Sequence, residues 1–152
     1  MDTLERIYNV AVVPTAVFAD ASDATPTATA LLAGGVDAME ISFCTPAAAD
    51  SIEAITKECP DMLVGAGAVI TLGQCKDAVA HGAKFIVSPG FHEEIVLWCL
   101  AHDIDVLPGC VTPTEIVRAM ACGLRVVEFF PANAYGGIAA MQALSDSFDS
   151  IK

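Results

Sequence analysis

Cationic side chains are scarce in this chain. Lys and Arg together number seven of 152 residues, against nineteen Asp and Glu, giving a formal charge of −12. No two of the seven are adjacent, so the clustered cations that neutralise a phosphate backbone are missing and nucleic acid is excluded as an expected partner. Long apolar runs are missing as well. The composition is 55% hydrophobic, yet Glu, Asp, Gly or Pro breaks every stretch before the ~18 residues of a membrane-spanning helix. The first residues, Met1-Asp2-Thr3-Leu4-Glu5-Arg6, lack the basic-then-apolar order of a secretory signal. A soluble cytoplasmic protein with no membrane partner is the expectation. The six cysteines include no C-x-x-C pair and no zinc-like spacing. They are read as reduced, mostly buried thiols, with no metal and no cofactor expected.

What is present is enough apolar side chain for one core in a single domain, residues 1–152. Short β-branched runs alternate with alanine-rich segments. Strands are expected over 10–18, 36–43, 62–65, 85–87, 106–107 and 126–130. Helices are expected over 24–33, 46–58, 71–81, 92–102, 114–122 and 137–144. Thr45, Thr71 and Thr112 are candidate N-caps, and Glu115 completes a capping box with Thr112. Gly34, Gly82 and Gly123 are candidate left-handed helix ends. His81 and His102 fall at helix C-termini, where ring capping is expected. Trp98 reads as helix packing.

Six βα units with strands apolar on both faces predict a parallel sheet covered by helices. No G-x-G-x-x-G follows the first strand, which disfavours a dinucleotide fold and favours a (βα) barrel of TIM type. Such a barrel needs eight units, so this one is expected to be incomplete, with residues 148–152 approaching a seventh strand. Its open edges predict self-association.

The chemically informative stretch is Val126-Val127-Glu128-Phe129-Phe130-Pro131-Ala132, where one carboxyl stands among apolar neighbours. Burying such a charge is costly unless pairing or chemistry requires it. This stretch, together with Ala33-Gly34-Gly35-Val36, Met39-Glu40-Ile41, Gly65-Ala66-Gly67, Ile86-Val87-Ser88-Pro89-Gly90 and Pro108-Gly109, resembles the aldolases that cleave 2-keto-3-deoxy-6-phosphogluconate and 4-hydroxy-2-oxoglutarate. The resemblance implies a pyruvate-yielding lyase that acts on a small keto acid and assembles as a trimer. It implies that Glu40 is the general acid/base and that Cys44, Ala68, Pro89, Gly90 and Phe130 occupy substrate-binding positions.

The chain departs from the family where it matters most. Glu128 stands at the Schiff-base lysine, Cys44 at the arginine that grips the substrate carboxylate, and Ala68 at a threonine. A carboxylate cannot condense with a ketone, and a thiol cannot make a bidentate charged pair. Of the four lysines, Lys57 and Lys76 fall on helices, while Lys84 and Lys152 fall at the N-terminal ends of strands. Imine chemistry is therefore expected to be absent or very low, with a non-catalytic scaffold subunit as the alternative. A metal site at Glu40, Glu128 and Cys44, with His92 or Cys110, is the minor alternative because the ligands follow no recognised spacing.

Overall fold

Short apolar strands alternate with helices, two of which open on a Thr cap, and the strands form a single parallel sheet. The computed structural model describes residues 2–152. The elements run α1 (Thr3–Val10), β1 (Thr15–Ala16), α2 (Ala24–Ala33), β2 (Ala38–Ser42), α3 (Ala48–Glu58), β3 (Leu63–Gly67), α4 (Leu72–Ala80), β4 (Phe85–Ser88), α5 (Glu93–Ala101), β5 (Asp105–Pro108), α6 (Pro113–Ala121) and α7 (Gly137–Ser145). The strands pair in chain order, β1 to β5, each parallel to its neighbour. Sequential winding is barrel topology; a doubly wound sheet would reverse its order partway. The array does not close on itself within these residues.

Two apolar layers follow from strand alternation. Met39, Ile41, Val64, Ala66, Ile86 and Val106 point outward into the core beneath the helices. Ala38, Leu63, Phe85 and Val87 point inward and meet Ile7, Val10, Val13 and Leu107. Helix α1 therefore plugs the barrel floor. Its Arg6 anchors it there, with Nε on the Asp37 carboxylate at 2.9 Å and Nη2 on the Asp37 and Asp61 carbonyls.

Several expectations need correction. The segment expected as a strand over 10–18 begins with the last residue of α1, and only Thr15–Ala16 pairs. Spacing of Ile7 and Val10 on one helical face carried that signal. The expected sixth strand, 126–130, contributes one parallel bridge, Glu128 opposite Gly109. Pro131 follows and has no N–H to extend the ladder. Thr45 does not cap α3, whose N-cap is Ala47; its hydroxyl is buried without a partner. Gly34 has φ −85° and Gly35 supplies the left-handed turn, whereas Gly82 and Gly123 adopt positive φ as expected.

Other expectations hold. Thr71 and Thr112 form full capping boxes with Gln74 and Glu115. The rings of His81 and His102 meet the carbonyls of Asp77 and Trp98 at 2.8 Å. All six cysteines are free, and Cys59, Cys75, Cys99 and Cys110 are buried. At the chain end, Lys152 N–H donates to Arg125 O and Val127 N–H donates to Lys152 O, both at 2.8 Å. That pair of bonds has the parallel pattern around Val126, but no strand is assigned at 148–152.

Candidate active site

Alternation along β2 puts Glu40 on the inward face with Ala38 and Ser42. A carboxyl fits there because β3 carries glycine opposite it. A Cβ on Gly67 would stand 2.7 Å from Glu40 Oε1. One layer down, a Cβ on Gly65 would stand 2.3 Å from the Phe85 ring. The two glycines of β3 thus open the space that the carboxyl and the aromatic ring fill.

Thr15 faces Glu40 in the β1–β2 register, and its hydroxyl donates to Glu40 Oε1 at 2.6 Å. Burial pushes the Glu40 pKa up and the Thr15 bond opposes that shift. Glu128 is delivered to the same space by the bridge beside β5. Its N–H donates to Pro108 O at 3.0 Å and its carbonyl accepts from Cys110 N–H at 2.8 Å. Burial first, and then the charge on Glu40, push Glu128 up to about 7. Two part-buried carboxyls that share one cavity, open at the exposed Thr15, cannot both ionise easily. Glu40 and Glu128 line one cavity of about 190 Å³, walled by Ile7, Val13, Phe85, Val87 and Leu107, with Thr15 the remaining polar group.

The other sequence-selected positions are not among the walls of this cavity. Cys44 is exposed, and its Sγ accepts from Ser42 Oγ at 3.2 Å. Ala68 is exposed with φ +54°. Pro89 is exposed, and its carbonyl lies 2.4 Å from where a Cβ on Gly109 would stand. Gly90 O accepts from Ser88 Oγ at 2.9 Å. Phe130 is 45% exposed. His92 is exposed at the start of α5, with no side-chain cap bond. Cys110 is buried, which pushes its thiol up to about 12.

Sequence reasoning missed Thr15. Its only signal was register, which a two-residue strand hides. A larger groove of about 380 Å³ runs between α6, α7 and Val127–Phe129. Its walls are mostly apolar and neither glutamate reaches it, so it is not the chemical site.

A sequentially wound parallel βα array with acid groups inside its strands places the chain among the (βα) barrels. Within that class it belongs to the KDPG and KHG aldolase family, which residues 4–152 match. It is 44% identical over 148 residues to the 2-dehydro-3-deoxy-phosphogluconate aldolase of Treponema pallidum, covering 97% of this chain and 70% of that protein. It is 39% identical over 141 residues to the KHG/KDPG aldolase of Escherichia coli K12, covering 93% of this chain and 66% of the relative. Among solved structures, the 2-keto-3-deoxy-6-phosphogluconate aldolase of Zymomonas mobilis ZM4 superposes with a TM-score of 0.94 at 32% identity, over 99% of this chain and 72% of that one. The KDPG aldolase of Legionella pneumophila, with pyruvate captured as a covalent carbinolamine, gives 0.89 at 38% identity, over 92% and 68% of the respective chains.

Proposed function

We propose that this chain keeps the barrel and inner cavity of the keto-acid aldolases while Schiff-base activity is absent or very low. The observation that carries this reading is the occupant of the cavity. Glu128, at the position the family resemblance assigns to the imine-forming lysine, lines it beside Glu40, and none of the four lysines does. Lys57 pairs with Glu53 on α3, and Lys76 lies over the Trp98 ring at 5.9 Å. Lys84 immediately precedes β4, and Lys152 lies over the Tyr8 ring at 5.7 Å. Imine formation needs an uncharged amine at the reacting carbonyl.

The family reaction behind this reading cleaves 2-keto-4-hydroxy (phospho)sugar acids or 4-hydroxy-2-oxoglutarate to pyruvate and an aldehyde. Glu40 retains its acid/base role. Cys44, Ala68, Pro89, Gly90 and Phe130 form the mouth that substrate crosses, with Cys44 unable to grip a carboxylate. The protein works in the cytoplasm as a homotrimer.

Borohydride reduction with excess pyruvate, followed by intact mass and peptide mapping, tests this reading. The unmodified mass is expected; a reduced pyruvyl adduct on any lysine overturns it and locates the amine. A second reading, a scaffold subunit, is favoured by exposed apolar side chains near the groove: Ile138, 80% exposed, with Tyr135 and Met141. A monomer by light scattering at micromolar concentration removes that reading.

A further inference from the structure

We propose that the Glu40–Glu128 cavity catalyses keto–enol proton exchange on a small uncharged ketone, with Glu40 the base at carbon, Glu128 the acid at the carbonyl oxygen, and Thr15 the positioning residue that keeps the two roles apart. This deepens the reading above and rests on it, since it requires that no lysine amine enters the cavity.

Size selects the ligand first. A cavity of about 190 Å³ holds about six water-sized groups at ~30 Å³ each. That space accommodates a three-carbon ketone. Charge selects next. The ionisable side chains on the cavity wall are Glu40 and Glu128; α1 contributes Ile7, the approach to β1 contributes Val13, β4 contributes Phe85 and Val87, and β5 contributes Leu107. A carboxylate or phosphate would enter against two acid groups without a countercharge, whereas an uncharged carbonyl meets no such repulsion.

The two carboxyls are not equivalent. Thr15 donates to Glu40 Oε1 at 2.6 Å, a bond that favours the ionised form. Glu128 takes its elevation from burial first and then from the charge on Glu40, reaching about 7, so of the two it is the carboxyl suited to hold a proton, and Glu40, with its hydroxyl donor, the one suited to lose it. A neutral carboxylic acid in an apolar site can donate to a carbonyl oxygen, while its ionised neighbour acts as base.

The step balances without an oxidant or second substrate. The Glu40 carboxylate removes a proton from the carbon beside the carbonyl. The C–H electron pair forms the C=C bond, and the C=O π pair moves onto oxygen, which takes the Glu128 proton. The products are a neutral enol, protonated Glu40 and ionised Glu128. Reversal restores the ketone, and in D₂O it leaves deuterium on carbon.

Proton NMR of hydroxyacetone and of pyruvate in D₂O, read as rates above the enzyme-free background, tests the proposal on the whole chain. Wild type is expected to exchange hydroxyacetone, with activity falling above pH ~7, and to exchange pyruvate at least about tenfold more slowly. Glu128→Gln and Glu40→Gln should each lower the hydroxyacetone rate about a hundredfold, the lower end of acid–base contributions. Thr15→Val should move the limits of the pH profile, which a merely structural loss would leave in place. Circular dichroism confirms that each variant is folded, and Glu128→Asp, retaining an acid, should keep part of the activity if Glu128→Gln does not fold.

Equal rates in wild type and the glutamine variants overturn the proposal, and faster exchange of pyruvate than of hydroxyacetone overturns its substrate class. Borohydride treatment separates the two levels. A lysine adduct overturns the reading beneath, whereas no exchange and no adduct overturns this proposal alone.

Discussion

Glu128→Gln should make the protein more stable at alkaline pH and leave it unchanged in acid. Glu128 is raised from its ordinary 4.5 to about 7, by burial first and then by the charge on Glu40. Between those values the folded chain holds a proton that the unfolded chain releases, so stability falls as pH rises. The contribution is fully present below pH 4.5 and lost as pH climbs through about 7. At ~1.36 kcal/mol per pH unit, the interval corresponds to roughly 3 kcal/mol. Glu128 is only part-buried, and solvent screening reduces this to about 1–2 kcal/mol. Glutamine keeps the shape and removes the titration. At pH 8.5 the variant should therefore melt about 2–8 °C higher, at ~2–4 °C per kcal/mol for a chain of this size. Calorimetry or urea titration across pH 4.5–8.5 reads the difference, with an unchanged urea slope confirming the same unfolding. Parallel stability curves for the two proteins, or a less stable variant at pH 8.5, would refute the reasoning.

Two further outcomes follow from the geometry of the inner layer. Gly65→Ala should cost about 1–3 kcal/mol in urea unfolding, because its Cβ meets the buried Phe85 ring at 2.3 Å, whereas Gly67→Ala meets the movable end of Glu40 and should cost less than half as much. Equal losses would mean that the ring is free to move. Thr15→Val removes the donor to Glu40 and should raise the Glu40 pKa further, read by carbon NMR of the carboxyls, at a cost of about 0.5–1.5 kcal/mol; an unmoved Glu40 titration would count against the bond.

How much of this was legible depended on whether the signal was local. Capping boxes at Thr71 and Thr112 were readable because donor and acceptor lie three residues apart. So was the β2 strand, where Ala38, Met39 and Ile41 flank Glu40. The β1 region misled because Pro14 and a two-residue strand leave no period to read, and with it Thr15 was lost as the partner of Glu40. The 126–130 segment carries strong β propensity, but a strand is made by its neighbours. Gly109 and Lys152 supply only one pairing position on each side. Glu128 was legible as an anomaly in the sequence. Its meeting with Glu40 inside the sheet is a long-range consequence of sequential strand order, and local pattern alone does not contain it.

The family assignment also supplies a reversal that tests the site from the opposite direction. Glu128→Lys would put an amine on the cavity wall beside Glu40. Burial favours the uncharged amine that attacks a carbonyl, and Glu40 stands ready to move the protons of carbinolamine formation. A borohydride-stable pyruvyl adduct on the new lysine is the expected product. If the substrate carboxylate sits at Cys44 as proposed, affinity for pyruvate should stay poor, because a thiol already bonded by Ser42 makes no charged pair with it. Adding Cys44→Arg supplies a charge-assisted pair worth ~1.5–3 kcal/mol, which lowers the pyruvate concentration for half-maximal trapping by about 10–100-fold. A folded Glu128→Lys protein that takes up no pyruvate would show that this position does not face a bound keto acid. A single variant that traps pyruvate as well as the double variant would show that Cys44 is not where the carboxylate sits.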